Sequence, residues 1–188
     1  YIAFLDHDDL LARHALLFIA EALNKSPNAQ IIYSDEDKIS ELGHRYDPHF
    51  KPDWNEDLLY SLNYISHLCV FRRDLINKAG AFRPGFDGSQ DHDLILRCIP
   101  YIQETEIVHL PHILYHWRSA EGSTANYEGA KSYATEAGLR ALEDYFARQN
   151  LDVRVQHTQY PSTYRLLWPL PECLPLVSLI IPTRNGLK

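Results

Sequence analysis

The sequence predicts an α/β domain, on three observations. A short apolar run, Ile2 to Leu5, drives straight into the carboxylates Asp6, Asp8 and Asp9. A second β-rich run, Gln30 to Ser34, also ends in acids, Asp35-Glu36-Asp37. Around these runs, apolar residues recur at helical spacing. Apolar runs of this kind read as buried strands, and acids at a strand's carboxyl end sit where open α/β sheets bind ligands.

The elements follow in order. After the first acids, Leu11, Ala15, Ile19 and Ala22-Leu23 predict a helix, with Asp8 or Asp9 as its cap and Asn24-Lys-Ser-Pro27 as its stop. A polar loop with Gly43 leads to Phe50-Lys-Pro-Asp-Trp54, a short helix from Asn55 to Ser61 and a strand from Tyr64 to Phe71. Arg73 to Ala79 is a helical turn or two, stopped by Gly80. Phe82 to Ser89 is a loop, and Gln90 to Ile99 a helix that turns Leu94, Ile95 and Cys98 inward. Short strands are expected at Glu106–Leu110 and Ile113–Trp117, around Pro111. The longest helix runs from Tyr127 to Gln149, with Tyr133, Ala137, Ala141 and Tyr145 forming one stripe. Val153–Val155 and Tyr164–Trp168 alternate as strands do. Pro169, Pro171 and Pro175 make a stiff linker, and Leu176 to Gly186 reads as a further buried strand entering a turn.

Length and composition narrow the function. The chain has 188 residues, enough for one domain with a real core. It carries 25 acidic and 18 basic side chains, a net charge of −7, which argues against a nucleic-acid partner. No apolar run approaches the length of a membrane span and no signal peptide opens the chain. Cys69, Cys98 and Cys173 are odd in number and outside metal or redox spacing, so they read as reduced thiols of a cytoplasmic protein, Cys69 and Cys98 in the core. The chain lacks Met and begins inside an apparent core strand, the pattern of a segment of a longer protein.

Two acidic constellations carry the chemistry. Residues two apart on an extended segment point the same way, so Asp6 and Asp8 can converge on one hard cation such as Mg2+ or Mn2+ while Asp9 points elsewhere. Such a metal keeps positions open for a diphosphate. Simple helix capping by Asp8 and Asp9 is the plain alternative. A haloacid-dehalogenase-type phosphatase is a rival, disfavoured because Leu10 follows where that family needs Thr or Val. In Gly85-Phe-Asp-Gly-Ser-Gln-Asp-His-Asp, Asp91 opens a helix whose dipole favours its ionised form, as suits a general base. The alternative is again capping, by Ser89, with Asp91 and Asp93 complementing the dipole. Asp35 and Asp37 read more readily as part of a solvated loop than as an acceptor wall. Trp54 and Tyr64 read more readily as core than as sugar platforms.

Several stretches, in order, resemble family 2 glycosyltransferases of the GT-A fold, of the bacterial surface-polysaccharide type. They are Phe4-Leu-Asp-His-Asp-Asp9, Tyr33-Ser-Asp-Glu-Asp-Lys38, Phe50-Lys-Pro-Asp-Trp54, Asn63-Tyr-Ile65, Gly88-Ser-Gln-Asp-His-Asp-Leu94, Tyr115-His-Trp-Arg118 and Gly122-Ser-Thr124. The resemblance implies a GT-A-like mixed sheet flanked by helices. It implies Asp8 as main ligand of Mg2+ or Mn2+, with Asp6 at the ribose or the metal. Asp91 is then the catalytic base, with Gln90 and Asp93 beside it at the substrate; Gln90 departs from the family's Glu. His116 would complete the metal shell and Arg118 would neutralise phosphate. The partners implied are a nucleotide-diphospho-sugar donor and a glycan or glycolipid acceptor. Lipid-linked acceptors would bring a cytoplasmic protein to the inner face of the membrane as a peripheral associate. Residues 1–150 are then the later part of a catalytic domain, 151–175 a β-rich, Pro-rich linker and 176–188 the first strand of a second such domain. The isolated segment would be inactive. The reading from another class is a non-catalytic carbohydrate- or partner-binding module derived from such an enzyme, kept alive by Gln90.

Overall fold

The computed structural model describes residues 1–118, 128–182 and 184. Gly122-Ser-Thr124 lies outside them. The model is α/β, with a mixed, curled sheet flanked by helices. β1 (Ile2–Ala3), β2 (Leu10–Leu11), β3 (Ile31–Ile39), β5 (Cys69–Phe71) and β6 (Ile107–Arg118) form it in the order β1-β5-β3-β6-β2. β4 (Arg45–His49) pairs with the later half of β3. Among the described residues only β3 and β6 pair in parallel, and they make the longest ladder.

Strand alternation divides the core in two. Ile31 and Tyr33 on β3, with Cys69 and Phe71 on β5, face one side; Ile32 and Val70 face the other. The second side is covered by α1 (Ala15–Lys25) through Ala15, Ile19 and Ala22. The first side packs against α2 (Glu56–Ser61), α3 (Arg73–Ala79), α4 (Gln90–Cys98) and α5 (Glu128–Arg148). A hairpin of β7 (Arg154–His157) and β8 (Tyr164–Leu167) lies on this layer, and its Val155 and Tyr164 belong to the same core as Phe71 and Leu94. Cys69 and Cys98 are buried free thiols, and burial pushes Cys98 up to about 12.

Several local expectations change. Ile2 to Leu5 is not a buried central strand: β1 pairs only with β5 at the sheet edge, and Leu5 is exposed. β3 continues straight through Asp35, Glu36 and Asp37, so these are strand residues and not a solvated loop; Asp35 and Asp37 are buried. The two short strands expected around Pro111 are one, because register shifts against β3 between Ser34 and Glu36 absorb the extra residues of β6. Tyr133 stands exposed on α5, while Ala137, Ala141, Leu142, Tyr145 and Phe146 are buried. Tyr64 packs in the core, as expected. Gly80 ends α3 with φ of +77°, the left-handed conformation a C-cap glycine supplies. Residues 169–182 contain no regular strand, and Leu176, Leu179 and Ile180 are exposed.

Candidate active site

Segments distant in sequence meet at His67. Its Nε2 lies 3.8 Å from Asp6 Oδ2, in the turn after β1. Its Nδ1 lies 3.8 Å from Glu36 Oε2 on β3, and its backbone N–H donates to that same oxygen at 2.6 Å. The ring stacks on Tyr115 of β6 with centroids 4.8 Å apart. Asp91, at the start of α4, lies in the same electrostatic neighbourhood. Burial raises its pKa most; the nearby His67 opposes this and the Asp6 carboxylate adds to it. The helix dipole alone suggested a fully ionised acid, whereas desolvation shifts this group the other way. A cleft of about 360 Å³ opens here, lined by Glu36, Asn63, His67, Asp91, Trp117 and Tyr164 among others.

The floor of the cleft is fixed by buried charge. Lys51 donates its backbone N–H to Asp35 at 2.9 Å. Its ammonium donates to the carbonyls of Ile65 and His67 and lies 3.6 Å from Glu36. Burial lowers the Lys51 pKa, with Glu36 opposing. Burial alone would raise Glu36, but His49, Lys51 and His67 outweigh it, so Glu36 sits below the usual carboxylate range. On the same strand Asp37 meets Arg45 Nε at 2.6 Å and His116 Nδ1 at 2.5 Å, and Asp35 meets His109 Nε2 at 2.9 Å. Glu36, Lys51 and His67 were not among the residues singled out from sequence. The run of acids hid β3, whose alternation was the available signal.

The first acidic motif is a turn, not an extended segment: the Asp9 N–H donates to the Asp6 carbonyl at 3.2 Å. Asp6 and Asp8 therefore do not share a side through strand alternation. Asp6 faces His67, while Asp8 has His7 Nδ1 at 3.8 Å. Asp9 does point elsewhere, accepting from the Tyr115 hydroxyl and, at 2.7 Å, from the Arg118 N–H. Burial raises the Asp9 pKa against these two bonds. Neither Asp8 nor Asp9 caps α1; His14 holds the cap position, without a side-chain bond. Arg118 clasps the turn from the end of β6, its Nε donating to the Asp8 carbonyl at 2.6 Å.

The second motif divides. Asp91 faces the cleft, but Asp93 is turned into the protein. Asp93 takes Arg83 Nε at 2.9 Å and Arg97 Nη2 at 2.8 Å. Arg97 in turn donates to the carbonyls of Ala79, Gly80 and Ala81, tying α3 to α4. Asp93 is thus held as a structural anion. Ser89 holds the cap position of α4, yet its hydroxyl donates to Ala134 on α5 at 2.7 Å instead of capping. Gln90 keeps its amide oxygen buried without a hydrogen-bond partner, as does Asn63.

Fit to a divalent cation is partial. Among the described residues no three His, Cys, Asp or Glu side chains form a metal-holding group. Two accessible carboxylates, Asp6 and Asp8, match a Mg2+-like ion that fills its shell with phosphate oxygens and water. His116 directs Nδ1 at Asp37, leaving Nε2 as its remaining ring nitrogen.

No family model matches the chain. It is 54% identical over 189 residues to an uncharacterized protein, y4gI, of Sinorhizobium fredii, covering all of this chain and 21% of that protein. It is 38% identical over 185 residues to the O-antigen biosynthesis protein RfbC of Myxococcus xanthus, covering 98% of this chain and 14% of that protein. The chain thus spans at most about a fifth of the length of these relatives.

Proposed function

We propose that this chain is part of a glycosyltransferase of polysaccharide or glycolipid synthesis, which moves a sugar from a nucleotide-diphospho-sugar to an acceptor hydroxyl with inversion. The observation that carries the reading is the approach of Asp6 and Asp91, more than eighty residues apart in sequence, to the same His67, which lines the cleft together with Asp91. The printed name of the Myxococcus relative supports the polysaccharide setting.

Asp91 accepts the proton of the acceptor hydroxyl as the acceptor oxygen bonds to the anomeric carbon. The bond from that carbon to the diphosphate breaks, and the electron pair leaves on the nucleoside diphosphate. Burial raises the pKa of Asp91, and a carboxylate of raised pKa is a stronger base than a solvated one. Asp6 and Asp8 would hold Mg2+ or Mn2+, with phosphate oxygens and water completing its shell, and the ion would supply Lewis-acid neutralisation of the diphosphate. Arg118 fixes the turn that carries these acids and adds positive charge beside them. Gln90 borders the base. A lipid-linked acceptor would bring the protein to the inner face of the membrane. Among the described residues no helix is long and apolar enough to cross a membrane.

The test is a screen of nucleotide-sugars against the full-length protein, with and without Mn2+. Expected is turnover of one donor, lost on chelation. Absence of turnover with every donor would sink the transferase reading. The second reading, a carbohydrate-binding module without catalysis, is favoured by the orphaned amide of Gln90 where an acid was expected, and would survive that outcome.

A further inference from the structure

The β7–β8 hairpin is also a wall of the cleft. Pro161, Ser162, Thr163 and Tyr164, at its turn, line the same cavity as Asp91. A neighbouring groove of about 560 Å³ is lined by Gln156, His157, Gln159, Tyr160 and Arg165, and shares Leu62, Thr163 and Tyr164 with the cleft. The hairpin is preorganised. Tyr164 donates its hydroxyl to the Thr135 carbonyl at 3.0 Å, Ser162 its N–H to the Thr135 hydroxyl at 3.0 Å, and Thr158 its N–H to the Thr163 carbonyl at 3.2 Å.

We propose that this groove binds a neutral, hydroxyl-rich saccharide chain whose end enters the acidic cleft. The lining has the composition such a ligand requires. Tyr160 is 65% exposed and offers an aromatic ring, and around it stand amides, hydroxyls and one guanidinium. His157 is 3.1 Å from Glu136, so the nearest carboxylate of α5 is matched by an imidazole. Asn63, which follows the shared Leu62, lines the cleft with a buried amide oxygen that lacks a donor. Glu36 and Asp91 line the far end and Asp6 lies beside His67, while the Lys51 ammonium there is taken up by Glu36 and two backbone carbonyls, which disfavours acidic sugars. The inference rests on the transferase reading only in naming this saccharide the acceptor.

The test uses the full-length protein and three neutral probes, maltohexaose, chitotetraose and mannotriose, read by saturation-transfer NMR. At least one probe should receive saturation, and Tyr160→Ala should weaken its binding roughly tenfold. Arg165→Ala, on β8 beyond the turn that carries Tyr160, should weaken the same probe and guards against a local defect of one variant. No binding by any probe, or unchanged binding by both variants, overturns the groove. Nucleotide-sugar turnover is measured separately. Binding sensitive to Tyr160→Ala without any turnover removes the transferase reading and leaves the groove standing; turnover with insensitive binding does the reverse.

Discussion

Asp91 carries a conflict between stability and chemistry that single substitutions expose. Its folded pKa is raised, chiefly by burial, so the ionised form is destabilised in the native state. Its stability contribution is complete below the unfolded carboxylate pKa and is lost as pH rises through the folded value. Asp91→Asn should therefore raise the melting temperature at pH 7, an advantage that vanishes near pH 4, while turnover falls about a hundredfold or more. A lower melting temperature at pH 7 would contradict the desolvation. His92, on the next position of α4, behaves oppositely. It is buried against the Leu59 carbonyl and its pKa is held at about 4. Its folded pKa lies below the unfolded one, so unfolding becomes easier as pH falls from about 6.5 toward 4, by on the order of 3 kcal/mol at the limit. Urea midpoints across that range should fall less in His92→Gln. The sequence exposed Asp6, Asp8 and Asp91 because acids beside apolar runs are conspicuous. It did not expose His67, whose neighbours Asp6, Glu36 and Asp91 are separated from it by tens of residues.

At the scale of elements, the packed helices were legible and the acidic strand was not. Ala15, Ile19 and Ala22 announced α1 by spacing, and Gly80 announced the end of α3. The strand reading ends at Ser34 because the acids that follow, Asp35 and Asp37 buried and Glu36 half-buried, are compensated by partners elsewhere in the chain: Lys51, His67, His109, Arg45 and His116. The same logic governs α3 and α4, which are joined by Asp93, Arg83 and Arg97. Asp93→Asn leaves two guanidinium groups facing a neutral amide, one of them buried, and should cost about 3–5 kcal/mol by urea denaturation. If Asp93 instead contacted substrate, stability would hold and KM alone would change. α5 and β8 meet where Gly138 lets the Tyr164 hydroxyl approach the helix backbone; a Cβ there would collide with that hydroxyl. Gly138→Ala should displace the hairpin and lower the melting temperature by several degrees, roughly 1–3 kcal/mol of overpacking.

For the whole molecule, the sheet and its two helical layers were readable as an α/β fold, whereas the docking of the hairpin was not. Alternation in Val153–Val155 and Tyr164–Trp168 announces strands but says nothing of the face they cover. Val155 and Tyr164 are buried on Tyr145 and Phe146, so a chain ended at residue 150 exposes that surface. Each lost side chain removes roughly 1.5–3 kcal/mol of burial, and the shortened chain should bind a hydrophobic dye at temperatures where the 188-residue chain does not. The remaining apolar stretch behaves differently. Leu176 to Ile181 is a charge-free, β-prone sextet, exposed along its length and bracketed by Pro175 and Pro182. Two imino acids at its margins deny a growing fibril the amide hydrogens it would recruit next, so the stretch carries its own gatekeepers against cross-β assembly.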